Sequence, residues 1–448
     1  MKPASMIKWQ GVAFVILMSP GNFMRSHLFT LAALVIATLA TPAQQPGPWP
    51  QFRGPGGMGI SPDKGFPTTW SKTENIIYKA ALPGAGASSP IIVGESIYLA
   101  CYTGYNEPGK RGSPESLKRF AVCLNRADGK VVWKTEVESK LPEQDRIRDD
   151  HGYATSTPIA DGERLYFFFG KSGVVAFDYQ GKQLWQADVG ARLSDWGSAA
   201  SPILHGDLVI INASVESDAL VGLDRKTGKE TWRARGIRES WNTPILVNVN
   251  GKTELVVAVA GKILGFDPDT GKQLWSCATD IGWYMVPCLV ASEGVIYCVG
   301  GRTGGGLAVR AGGRGDVTRS HRLWTMRKGS NVTSPIHHQG HLYWMHEGAG
   351  VAYCAEAESG KLVYEKRIPR LDNVYASAVL GDGKLYYVTR DGGTVVLAAT
   401  PEFKLLATNT LRERGDRDDR SVFNASPALA GGRIYIRSDN FLYCIGTR

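Results

Sequence analysis

The stretch DPDTGKQLW, Asp267–Trp275, decides how this chain is read, because the chain writes it repeatedly. LDRKTGKETW occupies Leu223–Trp232, FDYQGKQLW occupies Phe177–Trp185, and LNRADGKVVW occupies Leu124–Trp133. Each copy opens near an Asp or Asn, passes through Gly and ends on Trp. An Asx side chain can bond a turn backbone, and Gly takes the left-handed conformation that a tight turn needs. The copy is therefore a turn followed by a strand that presents a Trp. Alternation along that strand sends the Trp to one face and Val131, Leu184 or Leu274 to the other, and both faces are expected to be buried.

A second marker travels with the first. It reads Ser89-Pro90, Thr157-Pro158, Ser201-Pro202, Thr243-Pro244, Val286-Pro287, Ser334-Pro335 and Ser426-Pro427, with Ser377-Ala378 as a degenerate copy. From the second marker to the last, neighbours lie 42 to 49 residues apart, a period that belongs to solenoids or propellers. Each unit holds four short apolar runs divided by turn signals. In the second they are Pro158–Ala160, Arg164–Phe169, Val174–Asp178 and Gln183–Asp188. No helical periodicity competes, so the fold is read as all-β: an eight-bladed β-propeller of four-stranded antiparallel blades. The eighth unit, Asn424–Gly446, stops after its third strand. The stretch Thr68–Gly84, with Trp70 and an alternating run at Ile76–Ala80, is expected to supply the fourth and remove the open edge. Insertions are expected at Tyr102–Phe120 and Arg302–Arg322.

The rest of the composition bounds the class. Of 448 residues, 43% are apolar and 21% charged, and the net charge is +9. Residues 1–43 carry Lys2, Lys8 and Arg25 and no acid, so the remainder keeps +6. No block of like charge suits a nucleic-acid arm. Leu28–Ala40, preceded by Arg25 and followed by Thr41-Pro42-Ala43, has the length and flanks of a signal peptide, with Met24 as an alternative start. The expected organisation is a signal peptide at 1–43, an arm at 44–67 and the propeller at 68–448, in a periplasmic or secreted protein with no membrane anchor after cleavage. A monomer is expected. Cys123, Cys354 and Cys444 share one repeat position with Ala176, Gly222 and Gly265, which marks them as small buried residues. No two Cys are adjacent and no Cys-x-x-Cys-His occurs. His337, His338 and His341 flank one turn, but His346 lies a strand length away, so the four cannot share one ion.

These repeats resemble the PQQ-like β-propeller repeats of eight-bladed quinoprotein alcohol dehydrogenases and of the outer-membrane β-barrel assembly lipoprotein. The opening WPQFRGP, Trp49–Pro55, is similar to that of many secreted bacterial members of the family.

Topology places the segments before each Pro marker, and the turns between second and third strands, around one mouth of the channel. The pre-marker segments offer Asp195, Trp196, Glu239, Trp241, Asn242, Trp283, Tyr284, Asn331, Asp372, Asn373, Tyr375 and Asn424, with His151 and Tyr153. The turns add Lys171, Arg302, Arg390 and Arg437. Aromatic platforms, amides and cations together suit a small ligand, a glycan or a periplasmic protein. The first expectation is a non-catalytic binding scaffold that uses this mouth. The resemblance implies two alternatives. One is an alcohol or aldose oxidoreductase with PQQ stacked on Trp241 or Trp283. There Arg390 or Lys171 faces a quinone oxygen or carboxylate, and Asp195, Glu239 and Asn242 hold Ca²⁺. The other is an outer-membrane protein assembly factor.

Overall fold

The computed structural model describes residues 47–144, 147, 151–302, 304–412 and 421–447. The leader expected at 1–43 lies outside them. Residues 45–448 form one compact unit.

Eight four-stranded antiparallel sheets follow one another along the chain, at residues 91–137, 159–187, 203–235, 245–278, 290–326, 336–367, 379–410 and 428–445, numbered here as blades one to eight. The last is completed by Ile76–Ala81, which pairs antiparallel with Phe441–Ile445, so the ring closes with an N-terminal strand. No helix among the described residues is long and apolar enough to cross a membrane.

The repeated turn holds the blades to one another. In Asp224–Lys229 the carboxylate Oδ1 of Asp224 accepts from the amides of Lys226 and Thr227 at 3.1 and 2.8 Å, and Gly228 sits at φ 73°. The next outer strand then presents Trp232 opposite Gly222, and the following blades place Trp275 opposite Gly265 and Tyr364 opposite Cys354. A small residue is required there. A Cβ on Gly222 would lie 2.4 Å from the Trp232 ring.

Four of these Trp also reach into the turn of the next blade. Trp133 Nε1 donates to the Tyr179 carbonyl at 3.0 Å, Trp185 Nε1 to Arg225 at 3.2 Å, Trp232 Nε1 to Pro268 at 3.1 Å and Trp324 Nε1 to Ala357 at 2.9 Å. All four acceptors occupy the same position of the turn, one residue after its Asp or its counterpart. The indole, buried in Trp232 and half-buried in the others, thus satisfies its N–H while its ring covers the turn Gly. At the seam, Tyr78 takes this place. It pairs with Cys444 and its hydroxyl donates to the Arg126 carbonyl at 3.2 Å. Trp70, in the same N-terminal stretch, lies before the closing strand and stacks near Tyr386.

Two expectations are corrected. The other face of the outer strands is not uniformly buried: Val131, Leu184, Leu323, Val363 and Leu405 are exposed, at or beside the register shift that precedes each Trp position, while Leu274 is half-buried against the core. The fifth blade's extra residues are Ala311–His321, between its third and fourth strands, since Gly305–Arg310 is the third strand itself. Within them Gly315–Asp316 adds a parallel strand to blade four at Trp275–Ser276. This displaces the usual turn, and Trp275 Nε1 donates instead to Glu254 at 2.7 Å.

All seven cysteines are buried and unpaired. Cys123, Cys354 and Cys444 sit opposite Trp133, Tyr364 and Tyr78, the small-residue position expected of them.

Around the channel the second marker forms a chain of hydrogen bonds. The Ser89 amide donates to Thr157 Oγ1, Thr157 to Ser201 Oγ and Ser201 to Thr243 Oγ1, all at 2.9–3.0 Å. Thr243 donates to Cys288 Sγ at 3.3 Å and Cys288 to Ser334 Oγ at 2.9 Å. Ser334 donates to Ser377 Oγ and Ser377 to Ser426 Oγ, at 3.1 and 3.0 Å. Buried amides at the strand starts need partners, and blades two to eight each supply one to the blade before. In blade five the ring position is Cys288, two residues past the Val286 of the sequence marker.

Candidate functional site

The N-terminal arm crosses the channel beneath this ring. Trp49 is fully buried and pairs with Ile92, and the Pro50 carbonyl accepts from Ala160 at 3.0 Å. The chain then passes to the opposite side. Arg53, 1% exposed, donates through Nη2 to the Pro335 carbonyl at 2.5 Å, and Ile60–Ser61 runs parallel to Leu380–Gly381. The crossing requires glycine. Gly59 has φ 78°, and a Cβ there would lie 2.7 Å from Ile336. Burial pulls the Arg53 guanidinium down to about 10. Phe52 lines a cavity of about 230 Å³ below and one of about 440 Å³ above, so the arm is a partition across the channel.

The larger cavity lies at the mouth expected from the sequence. Of the expected residues, His151, Trp196, Trp241, Tyr284 and Arg302 line it from the segments of blades two to five. Asn331, Asn373, Tyr375 and Asn424 line it from blades six to eight. Its floor is the hydroxyl ring. Trp196 and Trp241 each lie 5.6 Å from Tyr284, centroid to centroid, and Trp241 Nε1 donates to the Gly197 carbonyl at 2.8 Å. Asn331 Nδ2 donates to the Tyr284 hydroxyl at 3.2 Å, which ties the aromatic side to the amide side.

The other expected residues do not line this cavity. Asn242 is fully buried in the blade, where its Nδ2 donates to Ser240 Oγ at 3.1 Å, Ala258 O at 2.7 Å and Met285 O at 3.2 Å. Arg437 is also fully buried. It joins blade eight to blade one through the Ser88 and Ala100 carbonyls, both at 2.8 Å. Lys171 Nζ donates to the Pro142 carbonyl at 2.6 Å. Asp195, exposed, accepts from Gln144 Nε2 at 2.7 Å, and Glu239 is an exposed residue at φ 53°. Asp372 is exposed. Trp283 stands outside, 41% exposed, beside Tyr284 and under the Arg302 guanidinium. Arg390 lies 4.5 Å over the Tyr375 ring and donates through Nε to Asn424 Oδ1 at 3.1 Å, behind the lining.

The proposed Ca²⁺ donors are therefore not a site. Asp195, Glu239 and Asn242 are absent from the cavity wall, and the Asn242 amide is spent on the backbone. Of the four cations expected to meet a polycarboxylate, only Arg302 is in the lining. These residues do not fit a Ca²⁺-held quinone. Among the described residues no group of three or more His, Cys, Asp or Glu side chains is placed to hold a metal ion. His337 stacks on Tyr297 at 5.2 Å, and burial lowers its pKa.

The sequence reading missed Glu347, which lines the cavity from a second-to-third turn and accepts from Ser330 Oγ at 3.0 Å and the Asn331 amide at 2.9 Å. It also missed Glu216. This carboxyl is 2% exposed, accepts from Ser198 Oγ, and its Oε2 has no partner. Its backbone carbonyl accepts from Arg192 at 3.1 Å, so Glu216 ties both ends of the loop that carries Trp196. Burial pushes its pKa up to about 7. One signal was available for the lining itself. Trp241 and Thr243, Asn373, Tyr375 and Ser377, and Asn424 and Ser426 all face the cavity at alternate positions, as extended backbone dictates. Asn242, one residue before the ring, falls on the other face.

No curated protein matches the chain. Among solved structures, BamB from Moraxella catarrhalis aligns over 83% of this chain and 97% of its own, with TM-score 0.58 and 13% identity. Quinohemoprotein alcohol dehydrogenase from Comamonas testosteroni aligns over 89% of this chain and 80% of its own, with TM-score 0.59 and 10% identity. The computationally designed Ika8 protein also aligns, with TM-score 0.54 and 10% identity over 83% of this chain and all of its own. At these identities the likeness is one of fold. A family profile described as "Outer membrane protein assembly factor BamB" matches residues 115–242 and 214–396, more than half of the sequence, and the chain belongs to that family of PQQ-like β-propellers.

Proposed function

We propose that this protein is an exported, non-catalytic binding scaffold whose ligand enters the channel mouth. One observation carries the reading: a cavity of about 440 Å³, within the ~300–1,000 Å³ of small-molecule sites, is floored by the ring with Phe52 of the arm beneath it and walled by aromatic and amide side chains. Export rests on the leader-like stretch at 28–43 and on the family match. Saturation-transfer NMR against a fragment library tests the binding reading. Binders are expected for the wild type and lost in Trp241→Ala and in the cavity-filling Ala199→Phe. Binders retained by both variants contradict it. N-terminal mapping of the exported chain tests the other half, with Gln44 expected as the first residue.

A second reading has its own support. The family's description names an assembly factor, and the exposed aliphatic residues Val131, Val132, Leu184, Leu323, Val363 and Leu405 on the outer strands offer a surface for a protein partner. Cross-linking from those strands to an outer-membrane protein supports it, and cross-links confined to the mouth argue against it.

A further inference from the structure

The cavity has two unlike walls. Trp196, Trp241 and Tyr284 form one; Tyr284 packs tilted at 46° against Trp196 and edge-on at 72° to Trp241, so the wall is a set of braced apolar facets around Tyr284. Asn331, Asn373 and Asn424 stand on the other, and every amide carries both a donor and an acceptor. In the ring below, the Thr157, Ser201, Thr243 and Ser426 hydroxyls accept backbone N–H groups through oxygen and keep an O–H to donate, whereas Ser377 Oγ already donates to Ser334 Oγ at 2.9 Å.

Charge narrows the ligand. Apart from His151, the lining side chains that are charged at neutral pH are Arg302 and Glu347, one of each sign. A polyanion asks for an excess of cations, and this wall has none. What fits both walls has an apolar flat face, a rim of groups that donate as well as accept, and little net charge. Hydroxyl groups on a saturated ring meet all three conditions. Asn331 Nδ2 is engaged by Tyr284, while its Oδ1 is buried and has no hydrogen-bond partner. Turned toward the cavity, that oxygen accepts from a ligand hydroxyl and not from a carboxylate.

We propose that the mouth cavity binds a neutral saccharide, its C–H face against Trp196, Trp241 and Tyr284 and its hydroxyl rim against Asn331, Asn373 and Asn424. This rests on the reading of the cavity as a ligand site. Arg302 and Glu347 then orient the sugar without setting its charge.

The test is calorimetric titration of the folded chain with maltose, cellobiose, trehalose and methyl glucoside, and separately with PQQ as a planar anionic probe. At least one saccharide is expected to bind saturably. Trp241→Ala and Asn373→Ala should weaken it about tenfold or more, Trp241→Phe less, and Arg302→Gln by less than about threefold. Near-UV circular dichroism checks that each variant is folded. No saccharide binding up to about 100 mM, a millimolar range that covers weak sugar sites, overturns the proposal. So does sugar binding that survives Trp241→Ala, or that needs Arg302. If PQQ binds in a Trp241-dependent way and the sugars do not, the saccharide class falls and the cavity reading stands. If neither probe binds, both fall.

Discussion

The ring of Trp232 occupies the space that a side chain on Gly271 would need: a Cβ there would lie 2.4 Å from the indole. Trp232 belongs to blade three and Gly271 to the turn of blade four, so the two residues are halves of one inter-blade joint. Gly271 is also at φ 68°, which penalises any side chain. Trp232→Ala should cost about 3–5 kcal/mol by loss of a buried indole. Gly271→Ala should cost roughly 1–3 kcal/mol through strain and overpacking. In the double variant the indole is gone and the added methyl has room, so the sum should fall short of additive. Urea denaturation of the three variants reads this, and strict additivity would show that the residues are not coupled.

Two arginines that look alike in sequence should separate cleanly. Arg437 is fully buried between the first and last blades, and Arg437→Met strands the Ser88 and Ala100 carbonyls. A loss of at least about 2 kcal/mol is expected, at the seam where the ring closes. Arg302 is exposed at the mouth, and Arg302→Gln should stay within about 0.5 kcal/mol of wild type. Equal effects of the two on the denaturation midpoint would contradict these placements.

Glu216 predicts a pH dependence. Its carboxyl ionises near 7 in the folded chain, against an ordinary value of 4.5, because burial disfavours the charge; nearby Glu143 adds to this and the Ser198 bond opposes it. Folding therefore favours the protonated form. The contribution is complete below about pH 4.5, falls as pH rises, and is lost above about 7. Wild type should lose on the order of 3 kcal/mol relative to Glu216→Gln across that window. Melting curves of both proteins from pH 4 to 8 measure it. A constant difference would mean that the folded and unfolded chains hold this proton equally, so that burial does not shift the carboxyl.

The blades were legible because their determinants are local. Asp, Gly and Trp of the repeated turn lie within ten residues and recur at a fixed place, so both the strand order and the closing strand at 76–81 followed. The mouth was legible only in part. Trp241 and Asn242 are neighbours of similar promise in sequence, yet one faces the cavity and the other the blade, and only the parity of extended backbone separates them. Arg437 and Arg302 occupy comparable turns, but the seam draws Arg437 into the ring. The arm at 49–61 has no period at all. Its passage across the channel depends on contacts with blades one, two, six and seven, which no local pattern reports. Cys288 displaced Val286 because the chain before blade five runs two residues longer to the ring.

The central claim is that the mouth above Phe52 is a ligand site with an aromatic wall and an amide wall. The most direct test is a crystal structure of the chain grown with the tightest saccharide of the titration. The account predicts an ordered sugar ring stacked on Trp241, with hydroxyls on Asn331 and Asn373. A sugar ordered elsewhere on the propeller, or a cavity unchanged by saturating sugar, would contradict it.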